Sequence, residues 1–296
     1  MGLTGAGRVP WLALTIGLFS AGVVHAQAWL PSAGSRDVSL SYVDSWYTNH
    51  WTPTGGTVDA GHIRTFTYAL GAEYSPTDRL MFSASLPLIK SQYHGAKPHP
   101  TEVDDGAYHA TITDLRMEAH YQWLLAPVAI APYVAYVLPT HNYETLGHAA
   151  PGRGLDETWV GVAVGKTLDR WIPRTFISAR FTYAFVQAVQ GISHDKENVE
   201  AELGYFFTPY LSVQGMWRWQ QTLGGIDVPP PAGSPLFPYH DQLARDNFTN
   251  VGGAIAWSYS DHSSFSLTYL TAVMGRNGHK LDDGVAFSYD YQFGNH

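Results

Sequence analysis

Residues 108–135 read Tyr108-His-Ala-Thr-Ile-Thr-Asp114-Leu-Arg116-Met-Glu118-Ala-His120-Tyr-Gln122-Trp-Leu-Leu-Ala-Pro127-Val-Ala-Ile-Ala-Pro132-Tyr-Val-Ala135. In the first arm the even positions are Asp114, Arg116, Glu118, His120 and Gln122. The odd positions between them are Leu115, Met117, Ala119, Tyr121 and Trp123. Successive side chains of a strand point to opposite faces, so this strand has one polar and one apolar face. A half-buried soluble sheet also alternates in this way. The decision comes from the recurrence of the pattern around the chain, behind an apparatus for export.

Alternation predicts twelve strands, at about 37–49, 58–75, 79–93, 108–124, 128–140, 155–168, 174–190, 197–207, 210–223, 247–260, 263–275 and 281–293. Links after even-numbered strands are short, such as Pro76-Thr-Asp78 and Thr208-Pro209. Most links after odd-numbered strands are longer, and several carry His and Pro. An even strand number with short turns at one end and long loops at the other describes a closed antiparallel outer-membrane barrel, with both termini periplasmic. Only helices and closed sheets satisfy their backbone groups within lipid. The competing architecture is a soluble all-β barrel or sandwich. Against it stand aromatic residues at the strand ends, Tyr74, Trp123, Tyr210, Trp257 and Tyr291, placed as interfacial girdles.

The N-terminal segment has Arg8, an apolar core from Trp11 to Phe19 and then small residues, which is the layout of a signal peptide. Residues 1–26 are expected to be removed, with cleavage after Ala26 or Ala28. Residues 27–36 form a short periplasmic lead and 37–296 the barrel. The apolar core is too short for a comfortable membrane anchor. The net charge of −8 has no basic stripe to attract nucleic acid. With no cysteine, an exported chain gains nothing from disulfides and has no thiolate metal site or thiol nucleophile.

Asp105-Gly106 and Thr113-Asp114-Leu115-Arg116 with Tyr121 resemble the Gly-Asp-Leu segment of a known outer-membrane family. Tyr136-Val-Leu-Pro-Thr140 resembles the Leu-Pro-Thr end of its next strand. Ser85-Leu-Pro-Leu88 and the stretch from Leu155 to Lys166 fit the strands before and after. The family is that of the outer-membrane transporters named for the MetA pathway of phenol degradation. The resemblance implies a barrel that acts as a channel or transporter, and a small aromatic or hydrophobic solute. The chain departs from the family pattern at Thr113 and His141, where glycine is usual.

Parity sends Asp114, Arg116, Glu118 and His120 into the lumen, together with Glu73, Glu157, Arg180, Glu200, Glu202, Arg218 and Asp290. Neighbours two apart on a strand lie roughly 7 Å from each other. The small inward residues Ser83, Ser85, Ala129, Ala131 and Ala135 leave the long charged groups room to reach across. Such a row is either a constriction favouring cations or hydrogen-bonding solutes, or a salt-bridge network filling a narrow barrel. Glu200 is expected to pair with Arg218 across the Thr208-Pro209 turn, with Glu202 near Gln214. Strand twelve must close on strand one, with Tyr291 and Phe293 facing lipid and the last three residues hanging free.

Histidines concentrate in the outer loops: His50, His94, His99, His109, His141, His148, His194, His240 and His279. They show no firm ligand spacing, so they are read as solvated, with no metal site and no cofactor. Catalysis finds little support. The His-x-Ser-Asn-Gly segment of outer-membrane phospholipase is absent, and Asp104-Asp105 with His109 is the one protease-like grouping. Gly224-Gly225 and Gly252-Gly253 are not followed by a phosphate-loop Lys-Ser/Thr. The sequence therefore points to a channel passing small solutes through an outer-membrane barrel. The alternative is a plugged structural or binding barrel that displays histidine-rich loops. The partners are the lipid bilayer and a small solute, and no motif speaks to oligomeric state.

Overall fold

A computed structural model describes residues 28–96, 102–231 and 233–293 of the chain. The proposed signal peptide, His99 and the last three residues lie outside the described residues. Twelve strands cross the barrel. They are β1 (Arg36–Trp51), β2 (His62–Thr77), β3 (Leu80–His94), β4 (His109–Ile112 and Asp114–Tyr121), β5 (Ala129–Pro139) and β6 (Glu157–Thr167). The second half comprises β7 (Thr175–Val186), β8 (His194–Thr208), β9 (Leu211–Gly224), β10 (Asn247–Ser260), β11 (Ser263–Arg276) and β12 (Gly278–Phe293). A two-residue strand, Thr57–Val58, folds back on β1 in the first loop.

Each strand pairs antiparallel with its chain neighbour, and β12 pairs with β1 from Arg36↔Phe293 to Trp51↔Gly278. The seam closes the sheet, so no row of unpaired N–H and C=O groups faces lipid. Tyr291 and Phe293 point outward, 36% and 48% exposed. No helix among the described residues is long and apolar enough to cross a membrane. The barrel crosses with strands, and its outer wall is apolar: Leu40, Leu70, Val134, Ile177, Leu267 and Val285 are all exposed there. Tyr74, Trp123, Tyr210, Trp257 and Tyr291 ring the short-turn end.

The expected strand from 108 is broken. Ser85 pairs with Arg116, but Leu88 pairs with Ile112, so β4 carries one extra residue opposite Pro87. Proline has no N–H to give the ladder, and such positions collect bulges. Thr113 instead donates its N–H to the Pro87 carbonyl at 3.0 Å. The bulge reverses the parity of β4. Below it Arg116, Glu118 and His120 point inward; above it Ile112 points outward. The other departure is at the last outer link, expected over 276–280. It shrinks to Asn277 between β11 and β12, where Asn277 and Gly278 take the positive φ that so tight a reversal needs.

The segment from Ala28 to Ser35 does not trail away from the barrel. Ala28 is fully buried against Ala129 and Ala163 on the inner wall. Trp29 meets Phe176 edge-on at 6.4 Å. Gly165 is required beneath it, since a Cβ there would come within 2.6 Å of Ala28 and of the Trp29 ring. Gln122 holds the segment from both ends of its amide: Oε1 accepts from Leu30 N at 2.8 Å, and Nε2 donates to the Ala28 carbonyl at 2.9 Å.

The two faces of one strand should respond oppositely to charge. Leu40→Arg places a cation in the lipid-facing band and should lower unfolding stability by about 2–4 kcal/mol if Leu40 sits near the bilayer midplane. Ser41→Arg, one residue on, faces the lumen and should cost far less. Denaturant titration of the barrel folded into liposomes measures both. Equal losses would mean that the parity of β1 is wrong.

Candidate lumenal constriction

The charged side chains converge at mid-barrel because the wall between them is built from small residues. Glu118 on β4 and Arg180 on β7 are three strands apart, roughly 14 Å of wall at the usual spacing. Ala135, Ala131 and Ala163 stand between them and are all buried. Over this floor Arg180 Nη2 reaches Glu118 Oε2 at 3.0 Å. Arg116 pairs with the other carboxylate oxygen, Oε1. His120 Nε2 lies 2.6 Å from Oε2. Arg116, Glu118, His120 and Arg180 are 3%, 8%, 2% and 2% exposed, so one carboxylate is shared by two guanidinium groups almost out of reach of water.

Aromatic faces complete the cluster. Arg180 lies over the Tyr133 ring at 3.9 Å and Arg116 over the Trp159 ring at 4.3 Å. His120 stacks on the other partner of the β4–β5 pair, Tyr133, at 4.9 Å and 14°. Planar guanidinium groups suit this double use, with ring faces above and carboxylate oxygens in plane. The sequence reading missed Tyr133 and Trp159. The signal was present, since Tyr133 shares the parity of Ala131 and Ala135, and Trp159 that of Glu157.

A second rung continues around the wall. Glu200 pairs in register with Arg180 on one side and Arg218 on the other, and Arg218 pairs with Asn250. The expected Glu200–Arg218 ion pair is present at 3.8 Å. Glu202 sits beside Met216 in register, while Gln214 faces Gly204; the Glu202 hydrogen bond comes from Ser178 at 3.4 Å. Glu157 is neutralised higher up by Lys196, Nζ to Oε1 3.3 Å, another inward cation the sequence reading overlooked.

Two candidates stand apart from the constriction. Asp114 serves the outer end, where its Oδ1 accepts from the Tyr143 hydroxyl at 2.5 Å. That hydroxyl in turn accepts from Gly154 N at 2.9 Å. Burial, then the Asp114 carboxylate, pushes the Tyr143 hydroxyl up, so it remains a donor and ties the 140–156 loop to β4. Asp290 is inward and buried, but lies near the short-turn end between Ser39 and Ser264.

Beside the cluster the wall changes character. A crevice lies over β1 to β4, lined by Ser39, Gly71, Glu73, Ser83 and Ser85 beside Arg116 and Glu118, the register partners of Ser85 and Ser83. The outer loops fold inward above it. The helical turn His240–Leu243 buries Leu243 against Leu155, Ala184 and Val186 of the inner wall. Asp104 is buried and accepts from the backbone of His148 and Ala149 at 3.1 and 2.9 Å. His109 pairs with Asp105, at 2.9 Å, while Asp104 holds the 140–156 loop. The outer histidines are not all solvated: His148 is 9% and His240 4% exposed.

No family model matches the sequence, and no curated protein does. Among solved structures, the COG4313 outer membrane channel from Pseudomonas putida F1 is similar at TM-score 0.71 and 14% identity, over 92% of this chain and 100% of that one. The translocator domain of the autotransporter NalP from Neisseria meningitidis aligns at TM-score 0.48 and 11% identity, over 89% and 90% of the two chains. The toluene transporter TodX of P. putida aligns at TM-score 0.45 and 9% identity, over 91% and 92%. The closed sheet, the apolar exterior and the first of these likenesses define the class: this is the fold of a Gram-negative outer-membrane β-barrel.

Glu118→Gln should be the most damaging conservative change in the lumen. It leaves two buried arginines around a neutral group, and uncompensated buried charge costs about 3–5 kcal/mol. Glu200→Gln, in a longer and more open pair, should cost about 1 kcal/mol or less. Guanidinium unfolding from micelles ranks the two; equal losses would show that Glu118 is not the centre of the network.

Proposed function

We propose that the chain is an outer-membrane channel that passes small solutes by passive passage along the crevice beside the charged cluster. The observation that carries this reading is the asymmetry of the lumen. One arc of the wall is tied into a rigid ionic network, while the adjoining arc, paired in register with it, presents Ser39, Gly71, Ser83 and Ser85 with Glu73 beside Arg116 and Glu118. Hydroxyls next to fixed charge form a surface that trades hydrogen bonds with a passing solute. The similar barrel from P. putida carries the description of a channel, in agreement with this reading.

Solute class is a narrower matter. The motifs around Asp114 and Thr140 resemble those of the transporters named for phenol degradation, and we assign this chain the same solutes, small aromatic molecules. The signal peptide over residues 1–26 would deliver the chain for export, and the short turns would then lie on the periplasmic side.

The alternative, a barrel plugged for structural or binding purposes, has its own support in the inward segment at Ala28 and the inward loops. Conductance separates the two. Wild-type protein in planar bilayers should give small single-channel currents. Arg116→Ala removes a cation from the crevice and should move the reversal potential toward cation preference. The effect should be largest at low ionic strength, where the Debye length is about 30 Å at 0.01 M. An unchanged reversal potential in a conducting mutant would remove the cluster from selectivity, and absence of conductance in both proteins would favour the plugged barrel.

The inward segment should itself limit current. Gln122→Ala drops the hydrogen bonds to Ala28 and Leu30 and should raise the open probability of single channels. Identical gating in this variant would exclude the segment as a barrier.

A further inference from the structure

We infer that the outer mouth holds a transition-metal site centred on His148, which two sets of ligands share: His50 with His279, and His240 with Asp241. These residues come from four separate stretches of chain: the end of β1, the 140–156 loop, the inward loop before β10, and the start of β12. The ring nitrogens of His50, His148 and His279 lie within 4.8 Å of one another, and so do the ligand atoms of His148, His240 and Asp241. His148 belongs to both groups.

Asp241 Oδ1 stands at the junction. It is 3.2 Å from His148 Nδ1, 3.6 Å from His279 Nε2 and 3.6 Å from His240 Nε2. In a tetrahedral zinc site with bonds near 2.0–2.1 Å, ligand atoms sit about 3.3 Å apart. The carboxylate edges are therefore already near the length that a bound ion imposes. The two edges of 3.6 Å are long for hydrogen bonds. The His50 ring is 4.1 Å from that of His279 and 5.0 Å from that of His148, which brings a further nitrogen to the same space.

The surroundings favour metal ligation over simple ion pairing. Four imidazoles gather around a single carboxylate. His50 Nε2 and His279 Nδ1 are buried without a hydrogen-bond partner among the described residues. His240 Nδ1 lies 2.6 Å from the Phe237 carbonyl, to which it donates, leaving Nε2 as the lone-pair nitrogen on the side of Asp241. A backbone carbonyl that fixes the tautomer is the usual support of a metal-binding histidine. Imidazole nitrogens with one carboxylate select zinc, nickel or copper rather than calcium or magnesium.

The bound ion would clamp two inward loops to the ends of β1 and β12, directly above the seam that closes the barrel. Removing it should loosen the outer mouth without opening the sheet.

The test uses the full barrel in micelles, stripped with a chelator and titrated calorimetrically with Zn2+ alone and then with Ni2+. We expect one Zn2+ per chain, an X-ray absorption spectrum dominated by nitrogen and oxygen at about 2.0–2.1 Å, and a loss of affinity on the order of 100-fold or more in His148→Ala and in Asp241→Asn. His141→Ala, an exposed loop histidine outside the cluster, should bind like wild type. Heat-modifiable gel migration checks that each variant is a folded barrel. Absence of stoichiometric binding to folded wild type would overturn the inference. So would equal affinity in His148→Ala, or a loss shared by His141→Ala.

Discussion

Lipid offers no partner for a backbone N–H or C=O, and that constraint organises this molecule. It requires β12 to pair with β1 along their whole length. Closure then fixes parity, and parity divides every strand into a lipid face and a lumen face. Charged residues within the apolar band have one place to go. The interior they enter is narrow and poor in water, so charge there must be matched by charge. Glu118 between Arg116 and Arg180 is the result, and the alanines of β5 and β6 are the spacing that lets it form.

The same narrowness shapes function. A barrel of this size fills much of its own interior, and this one is obstructed at three levels. The segment from Ala28 occupies the short-turn end, the ionic cluster the middle, and the inward loops the outer end. The middle level is the rigid one, because its side chains are locked by ring faces and paired oxygens. The other two are held by hydrogen bonds and apolar contacts on chain segments outside the ladder, and these can open at lower cost. On the proposed function, passage depends on motion at the ends and on chemistry at the centre.

Much of this was legible from alternation alone. Twelve strands, the seam, the lipid position of Tyr291 and Phe293, and the Glu200–Arg218 pair all follow from a period of two and the length of a turn. Alternation also placed Arg116, Glu118, His120 and Arg180 in one lumen. It could not show that Arg180 would reach past two strands to Glu118, which depends on curvature. The bulge opposite Pro87 was hidden because the proline and the extra residue lie on different strands. Ala28 and Trp29 were placed in a short lead before the barrel, and a segment without periodicity carries no sign of what it packs against. The histidines of the outer mouth were read as solvated because their spacing along the chain is irregular; His50 and His279 become neighbours only when the first and last strands meet.

The central claim is that solutes pass beside the charged cluster, along the serine wall. The natural absence of cysteine makes this directly measurable. Ser83→Cys puts a single thiol in the crevice, and Ala84→Cys turns one toward lipid. A cationic thiol reagent added to conducting channels should cut the current through Ser83→Cys and leave Ala84→Cys unchanged. If mass spectrometry shows Ser83→Cys fully modified while its current stays at the wild-type level, the path does not run along this wall, and the account of the constriction is wrong.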